Sequence, residues 1–299
     1  MTGRIKVVPV AGKGLATLAT CEYLPGAEIY RESSPLLWYD DSVTTLFDDN
    51  EAMCAYYAAY RVFKTILSTA EQERVLQLSE GENGNRAELL RQAASDLDFS
   101  AISGTTDIAT DSEIDLFARI SCICSRNLFQ RDSSYFIFES ASRINHSCLP
   151  NCYLDINTEK RTCTCRAILP IRKNEELTIE YNTKHRWEPT HERRFQYLAS
   201  KEFTCHCPRC DAPGDDTRQF DCCNSTCNGV MMVCQPIGHE TIDLSLAQYS
   251  GVEYVEPHLL PCTVCHNAAP AAYQKEMMAL EEQLPKWASQ LECMLNNNR

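Results

Sequence analysis

The sequence predicts a mainly β protein of the α+β class, in which a helical insert separates two strand-rich halves. Apolar runs of strand length, bounded by turn residues, occupy residues 1–40 and return in residues 131–186. Between them, residues 41–130 place apolar side chains at helical spacing. The remaining residues are rich in cysteine, which predicts a metal-bound tail at 187–211 and a zinc ribbon with a C-terminal helix at 212–299.

The composition of the 299 residues narrows the classes of function. No apolar stretch approaches the roughly 18 residues of a membrane-spanning helix, and none of signal-peptide length opens the chain. We therefore expect an intracellular protein, in the nucleus, the cytoplasm or both, without a membrane contact. The formal net charge of −13 argues against direct binding of nucleic acid and suits a basic, lysine-rich partner. The alternative, which explains the net charge equally well, is that the acidic residues serve only to keep the protein soluble.

The first strand is predicted at residues 5–10 and leads into a turn that contains Gly12 and Gly14. Two glycines allow a tight turn and let a ligand approach the backbone closely. Taken alone, this Gly-x-Gly pattern is weak evidence for a ligand loop.

Three helices are predicted in the insert. Residues 52–67 and 86–97 show helical periodicity, and a third helix is expected at 112–129 with Asp111 or Ser112 as its N-cap. Asn127, near the end of the third helix, fits the residue that closes a helix.

A polar run within apolar surroundings marks the start of the second half. Residues 143–151 read Arg-Ile-Asn-His-Ser-Cys-Leu-Pro-Asn and lie between apolar residues 136–138 and 152–154. An unpaired buried polar group costs roughly 1–3 kcal/mol, so these side chains need partners if the run is buried. The alternative is a polar loop between two strands. Residues 153–156 and 161–168 form a predicted hairpin, and residues 177–181 a closing strand.

The run Asn-His-Ser-Cys at 145–148, followed by Glu-Leu-Thr-Ile-Glu-Tyr at 176–181, resembles the signature of SET-domain protein lysine methyltransferases. The resemblance implies a β-clip core in which the two segments pass through one another as a pseudoknot. It also implies S-adenosylmethionine as methyl donor and a lysine of a histone or another protein as acceptor. We expect the protein to be a monomer.

The same resemblance assigns roles to individual residues. Tyr181 is the expected catalytic residue, with its hydroxyl near the transferring methyl group, and Phe203 is expected to stack on the adenine. In this family Asn127 touches the methyl donor, an alternative to its role as a helix cap. The full set of expected donor contacts is Lys13, Gly14, Leu15, Asn127, Asn145, His146, Tyr181 and Phe203.

The expected chemistry needs no strong base. Methyl transfer from a sulfonium to an amine depends on alignment at about 3–3.5 Å, and positioning of this kind supplies roughly 7–11 kcal/mol. Burial beside a positively charged donor also lowers the pKa of the acceptor lysine. We see no obvious Cys/His or Ser/His pairing for catalysis near the motifs, in agreement with this chemistry.

The tail carries the first predicted zinc site. In an intracellular chain, eighteen cysteines favour metal over disulfides. Cys205, Cys207 and Cys210 supply three thiolates, whereas a structural zinc site takes four ligands. In SET domains with this tail the fourth is the cysteine of the Asn-His-Ser-Cys run, here Cys148. The alternative is a set of free thiols.

A second zinc ion is expected in the ribbon. Cys222, Cys227, Cys262 and Cys265 form two paired knuckles, and Cys222 is preferred to Cys223 because the pattern after it resembles knuckles of related tails. Further candidate ligands are Cys234, His258 and His266, and a redox or surface-thiol role is the rival to metal. Residues 270–296 form a predicted amphipathic helix.

The closest resemblance is to the catalytic core of SET-and-MYND proteins. Cys21 and Cys54 are too few to form that subfamily's finger, so we expect the finger to be missing from this sequence. Lys201 stands where such proteins often carry a second tyrosine of the lysine channel, with Tyr135, Tyr197 or an insert residue as possible substitutes. The main alternative is therefore a weak or inactive SET-fold module that binds proteins; a metal-dependent nucleic-acid binder is a lesser one.

Overall fold

The computed structural model describes residues 4–10, 14–40, 51–80, 84–95, 110–182, 186–234, 241–243, 248–250, 258–281 and 283. Within these ranges, no helix has the length and apolar character needed to cross a membrane. The chain divides into two compact units, one formed by Met1–Tyr181 with Ser200–Glu202 and the other by Asn182–Ala199 with Phe203–Arg299. The predicted domain boundaries are finer than this division and stay a prediction.

The first unit contains ten described strands and four helices. The strands are β1 Ile5–Val10, β2 Gly14–Ala19, β3 Glu28–Glu32, β4 Leu37–Asp40, β5 Phe129–Arg131, β6 Ser134–Ile137, β7 Asn145–His146, β8 Cys152–Asn157, β9 Thr162–Ala167 and β10 Thr178–Ile179. The helices are α1 Glu51–Thr65, α2 Thr69–Leu76, α3 Gly84–Ser95 and α4 Asp111–Asn127. A helical block between two strand-rich segments confirms the predicted α+β class.

Small sheets make up the β-rich part of this unit. The β1–β2 hairpin is separate, while β3, β9 and β8 form one antiparallel sheet and β4, β6 and β5 another. β7 and β10 pair in parallel, unlike every other strand pair in the described part of the chain. Two segments far apart in sequence therefore run side by side at this point.

The insert helices pack on the sheet that contains β4 and β6. Their shared core includes the buried side chains of Tyr39, Tyr60, Phe117 and Tyr135. A second core lies around β3, β8 and β9 and contains the fully buried Cys165. Cysteines of β9 thus serve as small apolar residues, as their alternation in the sequence suggested.

Helix α4 begins one residue earlier than predicted. Its N-cap is Thr110, whose side chain accepts from the Glu113 N–H while the Glu113 carboxylate accepts from Thr110. The predicted caps, Asp111 and Ser112, are therefore wrong, because they lie inside the first turn. Helix α2 was not predicted, although Ser68 and Glu71 form the same reciprocal capping box at its start.

The second unit contains helix α5 Thr190–Lys201, an antiparallel pair of β11 Gly214–Asp221 and β12 Val230–Cys234, a second pair of β13 Thr241–Asp243 and β14 Gln248–Ser250, and helix α6 Ala271–Glu281. The last residues of α5 belong to the first unit. Helix α6 confirms the start of the predicted C-terminal helix, whose continuation to residue 296 lies, apart from residue 283, outside the described residues.

Candidate active site

The site is built on the pairing of β7 with β10. Asn145 lies opposite Thr178 and His146 opposite Ile179, in parallel register. The Ser147 N–H donates to the Ile179 carbonyl across 3.0 Å and continues the pairing beyond β7. The two motifs that the sequence placed in one pocket therefore lie in direct contact.

Asn151 supplies partners for the polar groups at this contact. Its side-chain nitrogen donates to the Glu176 carbonyl across 2.8 Å, and its side-chain oxygen accepts from the Thr178 N–H across 2.9 Å. The residue is 8% exposed, so these bonds replace water that the backbone of the second segment has lost. Sequence reasoning missed Asn151, although its position directly after the Leu-Pro turn was a signal.

Tyr181 closes the second segment against the first. Its hydroxyl donates to the Ile144 carbonyl across 2.9 Å, and its backbone N–H donates to Nδ1 of His146 across 3.3 Å. Burial raises the pKa of the Tyr181 hydroxyl well above its ordinary value, with a further contribution from Glu176. The hydroxyl is therefore a protonated hydrogen-bond donor at neutral pH.

The hydrogen bonds of the His146 ring determine which of its nitrogens carries the proton. Nδ1 accepts the Tyr181 N–H, so the proton of a neutral ring is carried by Nε2. Nε2 lies 3.3 Å from Sγ of Cys148 and donates to it. Tyr181 thus orients the imidazole, and the imidazole contacts the thiol that was predicted to bind zinc.

Asn145 ties the two segments to the glycine-containing turn. Its side-chain nitrogen donates to the Leu15 carbonyl across 2.9 Å and to Oε1 of Glu176 across 2.8 Å. Gly14, the first residue of β2, has a φ of +75°, which favours glycine, and a Cβ at this position would meet no atom within 4 Å. This open backbone suits the approach of a ligand. Lys13 lies outside the described residues.

The side chain of Asn127 makes hydrogen bonds that stabilise the fold. Its side-chain nitrogen donates to the carbonyls of Ser79 and Ile123, both across 2.8 Å, and the residue is 4% exposed. These bonds fix the end of α4, while the capping position itself belongs to Leu128. The expected contact between Asn127 and the methyl donor stays a prediction.

Lys201 lies in the first unit, beside Tyr181. Its Nζ is 5.9 Å from the centroid of the Tyr181 ring and donates to the carbonyls of Ser125 and Arg126 across 2.8 Å and 3.1 Å. Burial, with the positive charges of Arg126 and Arg86, lowers the pKa of Lys201 to about 8. The amine is therefore far more often neutral than that of an exposed lysine.

An ionic cluster holds Glu202, the residue after Lys201. The Glu202 carboxylate pairs with the guanidinium of Arg126 and lies 3.1 Å from Nε of Arg86. Arg86 also donates to the Ser200 carbonyl across 3.0 Å. The short segment Ser200–Glu202 is thereby fixed to helices α3 and α4 of its own unit.

A cleft of about 320 Å³ opens among the insert helices and β5–β6. It is lined by Ala55, Tyr56, Cys124, Ser125, Leu128, Gln130 and Tyr135. Ser125 connects this cleft to Lys201, because its carbonyl accepts from the lysine amine. Tyr135, a predicted substitute for the second channel tyrosine, stacks on Tyr39 with ring centroids 4.9 Å apart.

The tail cysteines come together in the second unit. The Sγ atoms of Cys205, Cys207 and Cys210 lie within 4.8 Å of one another, and all three residues are buried. Three converging thiols suit zinc, which takes thiolate ligands at about 2.3 Å. Cys148 is a buried residue of the first unit. Its role as the fourth ligand stays a prediction.

Two buried arginines of helix α5 organise the tail loop. Arg194 donates to the carbonyls of Cys205 and Cys210 across 3.0 Å and 3.2 Å. Arg193, fully buried, lies 3.7 Å from Sγ of Cys210 and 3.4 Å from the carboxylate of Asp215. The positive charges offset the negative charge that thiolates bring into the interior. Phe203 stacks on Tyr197 in this unit, with ring centroids 5.6 Å apart, and its predicted adenine contact is untested.

The ribbon brings together a second group of cysteines. The Sγ atoms of Cys222, Cys227, Cys262 and Cys265 all lie within 4.8 Å of one another, so their donor set fits a tetrahedral zinc ion. Backbone N–H groups of Cys265 and Val264 lower the pKa of the Cys262 thiol, which favours the thiolate that zinc requires.

The group of four ribbon cysteines leaves out the other candidate ligands nearby. Cys222 is included and Cys223 is not, as the knuckle pattern suggested. Cys234 and His258 contact each other, Sγ to Nδ1, across 3.1 Å and lie outside the group. A Cβ at Gly229 would clash with Sγ of Cys262, so glycine is required for the knuckles to close.

Comparison with known proteins agrees with this geometry. Residues 44–182 match the family model of the SET domain. A SET and MYND domain-containing protein of Dictyostelium discoideum is 31% identical over 98 residues, or 30% of this chain and 24% of that protein. The histone-lysine N-methyltransferase ASHR1 of Arabidopsis thaliana is 28% identical over 192 residues, or 54% of this chain and 38% of that protein.

A solved structure of the SET domain of LSMT bound to lysine and AdoHcy has a TM-score of 0.46 and 12% sequence identity, covering 75% of this chain and 57% of that chain. The chain spans well under half the length of the two curated relatives. The family match contains the insert helices and both segments that meet at the site, residues 145–148 and 176–181, which we call the crossing segments. The chain therefore contains a SET domain and is homologous to SET-and-MYND proteins and to a histone-lysine methyltransferase.

Proposed function

We propose that the chain is an S-adenosylmethionine-dependent protein-lysine N-methyltransferase. The observation that carries this proposal is the parallel contact of β7 with β10, closed by the hydrogen bond from Tyr181 to Ile144. That contact joins the two motifs of the SET signature. The family match and the relation to a histone-lysine methyltransferase support the same activity.

The residues that would hold the methyl donor surround Asn145. The start of β2, at Gly14 and Leu15, offers open backbone groups, and Asn145 holds it against residues 176–181. Because the Asn145 nitrogen donates to Leu15 and Glu176, we assign it the task of positioning the start of β2. The bound donor supplies an electrophilic methyl group on a sulfonium.

Tyr181 would act through its position rather than as a base. Burial raises the pKa of its hydroxyl, so it cannot take a proton from an ammonium group at neutral pH. The Ile144 carbonyl and the His146 ring hold the phenol in place. We propose that the phenol aligns the acceptor amine, which loses its proton because an apolar channel disfavours the charged form.

The acceptor we propose is a lysine side chain of a histone or another protein. The net charge of −13 favours approach of a basic partner and disfavours direct contact with nucleic acid. We also propose that the chain is a monomer, because a large net charge disfavours self-association, and that it acts in the nucleus or the cytoplasm. We propose two zinc ions per chain. One would hold the tail through Cys205, Cys207 and Cys210, with Cys148 as the fourth ligand, and the other would hold the ribbon.

One observation favours a second candidate function. Lys201 places an amine beside Tyr181, where related proteins often carry a tyrosine. An amine at this position competes with an incoming lysine, which fits a weak enzyme or an inactive module that binds proteins. A radiolabelled methyl-donor assay over histones and cell extract separates the candidates. Label on a protein supports the enzyme; no label, together with no donor binding in calorimetry, supports the module.

A further inference from the structure

The surroundings of Lys201 resemble those that a methyl acceptor requires. The amine lies 5.9 Å from the ring centroid of Tyr181, the residue assigned to align the acceptor. Lys6, Lys64, Lys160, Lys173 and Lys275 are the other lysines that the structure describes, and no described hydrogen bond joins their amines to residues 145–148 or 176–181; the Lys6 amine bonds Asn174, which precedes the second segment. Among the described lysines, Lys201 therefore brings an amine beside Tyr181.

We propose that Lys201 is a self-methylation site, at which the chain transfers a methyl group from S-adenosylmethionine to its own Nζ. This inference rests on the proposed function and adds an internal substrate to it. The lysine enters the site from Ser200–Glu202, a segment that packs with the first unit. No partner protein is required for the amine to reach Tyr181.

Hydrogen bonding prepares this amine as a nucleophile. A neutral amine has two N–H donors and one lone pair, whereas an ammonium has three donors and no lone pair. In the described part of the structure, Nζ donates to two acceptors, the carbonyls of Ser125 and Arg126. Two acceptors match the two donors of the neutral form and leave the lone pair available for attack.

The charged groups around Lys201 favour the same form. Arg126 and Arg86 face the amine from helices α4 and α3, and both disfavour a third positive charge. Glu202, which would stabilise an ammonium, is paired with those two arginines. Tyr181 is protonated and neutral at physiological pH. Together with burial, this arrangement lowers the pKa of Lys201 to about 8.

The transfer balances as a simple displacement. The Nζ lone pair forms the new N–C bond, and the S–C bond of the sulfonium breaks with its electron pair going to sulfur. The products are S-adenosylhomocysteine and methylated Lys201, which loses one proton to solvent. Only the neutral amine reacts, so the rate rises with pH and levels off above a pKa near 8.

The test uses the zinc-loaded full chain incubated with isotopically labelled S-adenosylmethionine, followed by peptide mass spectrometry. We expect label on Lys201, with a first-order rate constant that does not change with protein concentration. Lys201→Arg should lose that label, while Lys160→Arg, a change at an exposed lysine in the β8–β9 turn, should retain it. Tyr181→Phe should slow labelling by about tenfold or more.

The outcomes separate this inference from the proposed function. Donor binding measured by calorimetry, with Lys201 unlabelled, overturns self-methylation alone. An observed first-order rate constant that rises in proportion to protein concentration overturns it too, because transfer then occurs between chains. Absence of donor binding overturns both proposals. The wild-type measurement decides the matter even if a Lys201 variant fails to fold.

Discussion

The hydroxyl of Tyr181 donates a hydrogen bond to the carbonyl oxygen of Ile144 across 2.9 Å, which joins the end of one crossing segment to the start of the other. Tyr181→Phe removes this bond and the phenol while keeping the ring. We expect methyl transfer to fall by about a hundredfold or more, since positioning of the acceptor is lost. Donor affinity should change little, because Gly14, Leu15 and Asn145 are untouched. Single-turnover methylation and calorimetry measure the two effects separately.

Full activity in Tyr181→Phe would contradict the role assigned to the hydroxyl. A matched control is Tyr153→Phe, at an exposed position of β8. Its methylation rate should equal that of the wild type.

Asn145→Asp replaces a hydrogen-bond donor with a carboxylate at almost constant size. The new charge faces Oε1 of Glu176 and the Leu15 carbonyl, both of which need a donor. We expect donor affinity to fall by about tenfold or more, equivalent to ~1.4 kcal/mol, because the start of β2 is no longer held in place. Calorimetric titration with S-adenosylmethionine measures the change.

Asn157→Asp is the control for this substitution. The Asn157 oxygen accepts from the Lys160 N–H across 2.7 Å, and an aspartate can accept in the same way. Its donor affinity should be unchanged. Equal affinities for Asn145→Asp and the wild type would refute the positioning role of Asn145.

The ribbon predicts a contrast between adjacent cysteines. Cys222 belongs to the group of four thiols and Cys223 does not. We expect Cys222→Ser to lower the zinc content by one ion per chain and Cys223→Ser to leave it unchanged. Native mass spectrometry counts the ions. Loss of zinc from the Cys223 variant, with retention in the Cys222 variant, would reverse the assignment.

We expect replacement of Arg193 to have a large effect on the stability of the second unit. It is fully buried and donates to Thr190 Oγ1 across 2.7 Å, beside the buried carboxylate of Asp215. Arg193→Met leaves that carboxylate without this guanidinium, which should lower the free energy of unfolding by about 3 kcal/mol or more. Zinc should also leave the tail at lower chelator concentration, because Arg193 lies beside Sγ of Cys210.

Exposed Arg186 provides the comparison, since Arg186→Ala should change the free energy of unfolding by about 0.5 kcal/mol or less. Chemical denaturation of both variants, with zinc present, gives the difference. If Arg193→Met unfolds like the wild type, the buried network does not stabilise this unit.

Local patterns allowed part of the fold to be predicted from the sequence. Periodicity found α1 and α4, and the β8–β9 hairpin followed from alternation around a polar turn. Helix α2 was missed because its eight residues carry few apolar positions, so only the capping box of Ser68 and Glu71 signals it. The true N-cap, Thr110, was hidden by a run of three residues that can all cap a helix, Thr110, Asp111 and Ser112.

Part of the candidate site could likewise be predicted from the sequence, and part could not. Resemblance to the SET signature predicted that the segments containing β7 and β10 meet, and resemblance to knuckles of related tails predicted Cys222 rather than Cys223. The side-chain bonds of Asn151 and the buried pair of Arg193 with Asp215 could not be predicted, because they join residues far apart in sequence with no local pattern. The packing of Lys201 beside Tyr181 depended on tertiary structure for the same reason.

The most direct test of the account is calorimetric titration of the zinc-loaded wild-type chain with S-adenosylmethionine. The contact between residues 145–148 and 176–181 should create one binding site, so we expect saturable binding with one donor per chain. Asn145→Asp should weaken that binding, and Asn157→Asp should leave it intact. A folded, zinc-loaded chain that binds no S-adenosylmethionine would contradict the central claim.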